Sequence, residues 1–494
     1  MNTGFCGICK SKVPLAHIER DGKIYLEKQC PRCGKSYELI ANDADMYNKK
    51  RAMMPDEEFP GCDLNCLGCG KHKQPNIIFV ETTNRCNMNC PICITNVPSM
   101  GFEFEPGMEY FDKIFSHYSR FEFPPSIQLF GGEPTMREDL LDIIRLARSY
   151  RLSVRLVTNG LKLADPEYCA KIVASGASIL ISFDGLNEDM YEKLRGSRES
   201  LKVKLKALDN ISTHKKGKVI MMTVVDKQSN AEDMPKFLDY CLKHSDIVRG
   251  IFPMPLTQVW SDERLDYTPE RTTQDDVEKI VNNAVEGGGV EFIPLGSLEI
   301  RNLARIFKLR HLPFLGVHPN CESFTILISD GEKYSALSRF LKKGTYALVN
   351  DIRKLDSSVE KYAVSGKAGF FRKMGIAFSA VGVLAAHCNF GNIVNARGLK
   401  AYLRWGRIIL EALTGKKIKD IIKNRTGIKS ILQIIVLPFE DDGTQESERL
   451  QKCSSGYAYV EIETDTVKSV PGCIWEKYKE AALRSNALKY NKEG

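Results

Sequence analysis

Three cysteines on one short loop carry the first chemistry legible in the chain. Cys86, Cys90 and Cys93 stand in the spacing C-x3-C-x2-C within Asn84–Pro98, NRCNMNCPICITNVP. Three thiolates this close can hold three irons of a [4Fe-4S] cube, because soft sulfur suits iron–sulfur clusters. With no fourth cysteine on the loop, the fourth iron stays open to a substrate or cofactor, as catalytic metal sites keep one position free. Spacing alone leaves two alternatives: a zinc knuckle with a distant fourth ligand, or three buried thiols.

Other cysteines repeat the theme. Ten of the sixteen precede residue 94, and such clustering implies metal ligation rather than disulfides. CGIC (Cys6–Cys9) and CPRCG (Cys30–Gly34), with the strand-like run Lys23–Glu27 between them, form two knuckles. Cys6, Cys9, Cys30 and Cys33 therefore read as a closed, structural four-thiolate site for zinc or a single rubredoxin-like iron. Cys62, Cys66 and Cys69 repeat the C-x3-C-x2-C spacing in a Pro/Gly-rich loop. That set reads as an auxiliary cluster with Cys321 or His72 as fourth ligand, or as a zinc knuckle. Cys321, Cys388, Cys453 and Cys473 are flanked by turn or polar residues, and the expectation is ligation of a further auxiliary cluster. Cys169 and Cys241 lie on apolar helical patterns and read as packing residues.

Elements that alternate in type must position these groups. Strand patterns fall at Asn76–Glu81, Ser126–Phe130, Ser153–Thr158, Ser178–Phe183, Lys218–Val225 and Ile247–Phe252, with helical patterns at Glu138–Tyr150, Pro166–Ser175, Leu201–His214 and Ala231–His244 between them. Regular βα alternation argues for a parallel sheet with right-handed crossovers, here a partial (β/α)6 TIM-like barrel. Reactive groups gather at the C-terminal strand ends of such barrels. Gly131-Gly132-Glu133-Pro134, Asn159, Ser182, Asp184 and Thr223 all stand at or near such ends. The division expected is a four-cysteine domain over 1–50, an auxiliary cluster loop over 51–75, the barrel over 76–262, and an α+β C-terminal region over 263–494 that carries further cluster ligands and substrate contacts.

The Cys86 loop, followed 38 residues after Cys93 by GGEP, resembles the radical S-adenosylmethionine (SAM) superfamily. The resemblance implies an open iron chelated by SAM, with Gly131, Gly132, Glu133, Pro134, Asn159, Ser182, Asp184 and Thr223 as SAM contacts. It further implies an electron donor of the ferredoxin or flavodoxin type and a 5′-deoxyadenosyl radical that takes hydrogen from a C–H bond. Along the whole chain, the paired knuckles, the second triplet and the order of the C-terminal cysteines resemble the tetraether lipid synthase group. That resemblance implies coupling of lipid hydrocarbon chains, with one or two auxiliary [4Fe-4S] clusters. The alternatives are radical methylation of a small heterocycle such as a pterin and, outside the enzymes, a multi-metal interaction scaffold. A scaffold has no need of an amine-binding carboxylate such as Glu133.

Composition narrows the setting. Hydrophobic content of 43% and charged content of 27% are those of a globular protein. The most apolar run, Gly375–Ala386, is shorter than the ~20 residues of a spanning helix, and Met1–Lys10 has no apolar signal core. The expected location is the cytoplasm. The segment Arg397–Lys429 interleaves Lys and Arg with apolar residues, as a peripheral contact with an anionic membrane would. A net charge of +8 over 494 residues gives no expectation of nucleic acid as a partner.

Overall fold

The computed structural model describes residues 1–491 apart from 55–58, 60, 70, 71, 73, 95–99, 258–264, 266, 310–316, 367, 368 and 414–417. The end of the Asn84–Pro98 stretch, the expected boundary at 262/263, and Lys416 and Lys417 of the basic segment lie outside the described residues.

The N-terminal unit is a four-stranded antiparallel sheet: β1 (Thr3–Phe5), β2 (Lys12–Arg20), β3 (Lys23–Cys30) and β4 (Gly34–Ala41). Asp21 and Gly22 join β2 to β3 with φ of 52° and 70°, the two positive values that a two-residue hairpin matched to strand twist demands. The sheet docks on the rest of the chain through buried charge. Lys28 Nζ donates to the Phe5 carbonyl at 2.7 Å and to that of Gly443, and Lys50 pairs with Glu278.

Six parallel strands follow, as the alternation predicts: β5 (Ile77–Thr83), β6 (Ser126–Gly131), β7 (Val154–Thr158), β8 (Ser178–Ser182), β9 (Val219–Val225) and β10 (Val248–Pro255). Helices Leu140–Ser149, Pro166–Ser175, Glu199–Ser212 and Met234–Lys243 cover their outer face. Two further helices complete the alternation: Met108–Ser119 between the cysteine loop and β6, and Glu188–Arg195 after β8. The charged segment from Asp262 to Glu286 contains one described helix, Gln274–Ala284.

The C-terminal region extends the same sheet at both edges. Its strands are β11 (Ile293–Pro294), β12 (Ser323–Ser329), β13 (Tyr334–Ala336), β14 (Ser430–Val436), β15 (Ser455–Glu461) and β16 (Thr466–Pro471). β14 joins parallel to β10 and β15 parallel to β5, so eight parallel strands run β14-β10-β9-β8-β7-β6-β5-β15. The β5–β15 seam is sealed by aromatic stacking of Phe79 on Tyr457 and of Tyr457 on Trp475, with centroids 4.6 and 5.0 Å apart. The path of the sheet is open and its ends carry the antiparallel strands β11, β12 and β16.

Candidate active site in the barrel lumen

One cavity of about 1890 Å³, its open mouth included, occupies the concave face of the parallel strands. Its wall takes alternate residues from successive strands: Ile77 and Phe79, Gln128 and Phe130, Arg155 and Val157, Leu180 and Ser182, Met222 and Val224, Phe252 and Met254. This is the period of two by which a strand sends every second side chain to one face.

Cys86, Cys90 and Cys93 line the cavity beyond the C-terminal end of β5. The glycines of the GGEP motif shape the base of their loop. A Cβ on Gly131, whose φ is +130°, would meet the Thr83 carbonyl oxygen at 2.4 Å, and one on Gly132 would meet that of Arg85 at 2.2 Å. Only glycine lets β6 lie this close to the segment entering the cysteine loop. The Gly132 amide donates to Thr83 O at 2.7 Å and the Glu133 amide to Arg85 O at 2.8 Å. Asn84 completes the base by accepting from the Phe104 amide at 2.9 Å.

Glu133, 1% exposed, has a carboxylate held by the protein through both oxygens. Oε1 accepts from the Thr135 amide at 3.1 Å and from the hydroxyls of Thr135 and Thr158 at 2.6 and 2.7 Å. Oε2 accepts from the Asn159 amide at 2.6 Å. Its observed work is to tie the end of β6 to the end of β7. Asn159 extends that tie by donating from Nδ2 to Asn87 Oδ1 in the cysteine loop at 2.7 Å.

Two cations, buried Lys204 and half-buried Arg195, face the same end of the lumen. Lys204 Nζ donates to the carbonyls of Asn159 and Ser182 at 2.7 Å each and to Ser182 Oγ at 2.8 Å. Burial, with Arg195 adding to it, pulls the Lys204 ammonium down to about 8. Arg195 lines the cavity and grips Asp184 through two bonds of 2.6 and 2.9 Å. Burial opposes ionisation of Asp184, yet Arg195 holds its carboxyl below the ordinary range. Asp184, Thr223 and Pro134 are not part of the cavity wall. Asp184 also accepts from the Val224 amide at 2.9 Å, and Thr223 donates to the Phe183 carbonyl.

The donor chemistry fits an iron–sulfur cluster. Three soft thiols on one loop face a cavity, and burial raises Cys90 while Arg195 and Lys204 pull it back. Fixed positive charge beside the loop offsets the negative charge of a thiolate-ligated cluster.

A second cysteine set closes the other end of the lumen. Cys321, Cys453 and Cys473 all line the cavity. Cys453 immediately precedes β15, whose first residue pairs with Ile77 at the start of β5. Cys473 follows Pro471, which pairs with Gly456. Burial pushes Cys453 up to about 11, and burial with neighbouring Glu440, Cys453 and Cys321 raises Cys473 well above its ordinary value. Cys388 is elsewhere: it bridges to Leu341 at the end of helix Phe370–His387. Of the four expected ligands, three thus line the lumen and one does not. Cys321, weighed as a fourth ligand for the Cys62 set, has Cys453 as its neighbouring thiol, whereas the groups acting on Cys66 are Cys62, Cys69, Asp63 and Lys12. That triplet is pinned to the C-terminal region, where the Gly68 amide donates to Tyr459 Oη at 2.9 Å and Tyr478 Oη to the Leu64 carbonyl. His72 is half-buried and faces the Leu450 backbone.

In the N-terminal sheet the ligand atoms of Cys6, Cys9, Cys30 and Cys33 all lie within 4.8 Å of one another. The Cys9 and Cys30 sulfurs are 3.6 Å apart, close to the ~3.8 Å edge of a tetrahedron with ~2.3 Å zinc–sulfur bonds. The four thiols fit one tetrahedral metal. Cys169 and Cys241 are fully buried on their helices, as packing residues.

Pattern reading missed Lys204, which stands in the lysine-rich run LKVKLK. The signal was its phase: Leu201, Lys204, Ala207, Leu208 and Ile211 share the buried face of helix Glu199–Ser212. It also missed the polar lumen residues Gln128, Arg155 and Glu322. Burial pushes Glu322 up to about 7 against the pull of Arg155.

The model of the radical SAM superfamily matches residues 80–241, and that of the HMPTM N-terminal zinc ribbon domain matches residues 2–42. The 7,8-dihydro-6-hydroxymethylpterin dimethyltransferase of Methanocaldococcus jannaschii is 31% identical over 353 residues, 68% of this chain and 69% of that protein. The chain belongs to the radical SAM superfamily. As a radical SAM protein it is an enzyme that uses SAM and a [4Fe-4S] cluster. The Fe-coproporphyrin III synthase of Methanosarcina barkeri is 30% identical over 200 residues, 40% of this chain and 46% of that protein. The mycofactocin maturase of Mycolicibacterium smegmatis is 26% identical over 192 residues, 38% and 48%. None of these three radical SAM relatives is named a lipid synthase, so the tetraether resemblance rests on the cysteine order alone. Among the described residues, no helix is long and apolar enough to cross a membrane.

Proposed function

We propose that this enzyme acts on a carbon of a substrate lying in the lumen between the two cysteine sets, and that the substrate is a heterocycle such as a pterin, which it methylates. The observation that carries the reading of substrate class is the 31% identity, over two thirds of both chains, to a protein named as a pterin dimethyltransferase. When bound, the cluster and SAM supply one-electron reductive cleavage and a 5′-deoxyadenosyl radical, the electron coming from a donor of the ferredoxin or flavodoxin type. The protein's own part is placement and exclusion of water. Glu133 locks the β6 and β7 ends, Arg195 and Lys204 balance the charge of the cysteine loop, and apolar side chains such as Phe130, Leu180 and Met222 keep the lumen dry. Gln128, Arg155 and Glu322 offer hydrogen-bonding groups to a heterocycle's polar edge. Cys321, Cys453 and Cys473 would hold an auxiliary cluster at the far end.

A second reading, coupling of lipid hydrocarbon chains, is favoured by the apolar character of most of that wall, including Phe79, Val157, Phe252 and Leu437. The two readings separate in one experiment. Reconstituted enzyme, dithionite and SAM are incubated anaerobically with the dihydropterin or with a lipid extract, and products are read by mass spectrometry. The account expects the pterin to exchange hydrogen for methyl, the hydrogen leaving in 5′-deoxyadenosine and the methyl coming from a second SAM with one further electron from dithionite, and the lipids to remain unchanged. Coupled lipid with untouched pterin would replace the first reading by the second.

A further inference from the structure

Helix Phe370–His387 is apolar in sequence yet hardly packs. Of its eighteen residues only Ile376 and His387 are buried. Phe371, Met374, Phe378 and Val381 recur at spacings of three and four and so share one helix face, on the side opposite Ile376. That face is bare: Phe371 is 84% exposed, Phe378 69% and Val381 61%. The helix is nonetheless held in place. His387 bonds Asp351 at 2.9 Å, and the Lys342 amide donates to the His387 carbonyl at 2.7 Å. The helix Leu399–Leu413 exposes Leu399 and Leu403 as well.

The charge of this region is one-sided. Residues 370–413 contain six Lys or Arg and one Asp or Glu, against 70 and 62 in the whole chain. Exposed Arg372, Arg397, Lys400 and Arg407 stand on or beside the same two helices. A soluble partner's apolar groove would cover the phenylalanines but gives no reason for the cations. An anionic bilayer interface satisfies both, since a bare apolar face enters the acyl boundary while each nearby cation adds about 1 kcal/mol. Neither helix is long and apolar enough to span, which fits lying in the surface rather than crossing it.

We infer that helix Phe370–His387, with the cations on and beside helix Leu399–Leu413, is a docking face for an anionic membrane surface. The inference rests on this surface and not on the substrate reading; pterin methylation and vesicle binding can both be true, and either can fail alone. The test is cosedimentation of the full chain with vesicles of phosphatidylcholine and with vesicles of phosphatidylcholine mixed with phosphatidylglycerol. Most of the protein should pellet with the mixed vesicles and little with the neutral ones, and added salt should weaken the binding. The double variant Phe371→Glu, Phe378→Glu should bind the mixed vesicles more than about tenfold more weakly while retaining SAM cleavage, which reports its fold. The inference is overturned if the native chain stays in the supernatant with mixed vesicles. It is equally overturned if sedimentation shows a dimer that the double variant dissolves, because a second copy then covers the face.

Discussion

The Glu133 amide donates to the Arg85 carbonyl at 2.8 Å, and through this bond the strand end of one motif fixes the base of the other. The cysteine loop is therefore held by β6 from the side, not only by its own strand β5. The two motifs act as one unit for a steric reason, because the Arg85 carbonyl occupies the space that a Cβ at residue 132 would need.

Gly132→Ala follows from that geometry. The added methyl would sit 2.2 Å from Arg85 O, an overlap that backbone movement must relieve at about 1–3 kcal/mol. Iron bound by the Cys86 loop and SAM cleavage should both fall, with the ribbon metal unchanged. Normal cleavage by this variant would show that the close approach does not position the loop.

Cys453→Ala and Cys388→Ala should part company. The first removes a thiol from the lumen set and should cost about four irons per chain. The second touches a thiol at the Leu341 bridge and should leave iron content as it was. Equal losses, or none in either, would remove the auxiliary site from the lumen.

The fold was legible where local pattern and tertiary role agree. The six strands of the barrel are apolar runs bounded by turn residues, and the paired knuckles announce a closed metal site by spacing. What stayed hidden depends on topology. No local feature of Ser430–Val436 or Ser455–Glu461 says that they flank the barrel on opposite edges, so nothing in the sequence separates Cys453 and Cys473, which reach the lumen, from Cys388, which does not. Lys204 was hidden for a related reason. Its neighbours Lys202 and Lys206 make the run look solvated, and only helical phase turns the middle lysine inward. Glu133 was legible as a site residue, but its carboxylate bonds with Thr135, Thr158 and Asn159 could not be read from a single strand end.

Cys30→Ala should release about one metal atom per chain, because the four thiols of the ribbon meet in one place. Iron held by the Cys86 loop should survive wherever the variant folds. Metal content unchanged from the native chain would mean that the ribbon thiols carry no metal.

His318 gives a pH dependence. Its Nδ1 accepts from the Asn320 amide at 3.2 Å, which only a neutral ring can do, and burial pulls it down to about 4. Burial outweighs the opposing pull of Glu448 and Glu446, so the unfolded chain takes up this proton at a higher pH than the folded chain, and stability falls as pH drops from about 6.5 toward 4. Urea midpoints of the native chain and of His318→Gln should converge as pH falls from 7 to 4. A constant gap between them would show that the ring is not kept neutral.

Reductive cleavage of SAM at the Cys86 loop is the central claim, and anaerobic release of 5′-deoxyadenosine from SAM and dithionite tests it most directly. The native chain should release it, and Cys90→Ala, which keeps the ribbon and lumen cysteines, should not. Release by Cys90→Ala at the native rate would contradict the assignment of the loop that lines the mouth of the lumen.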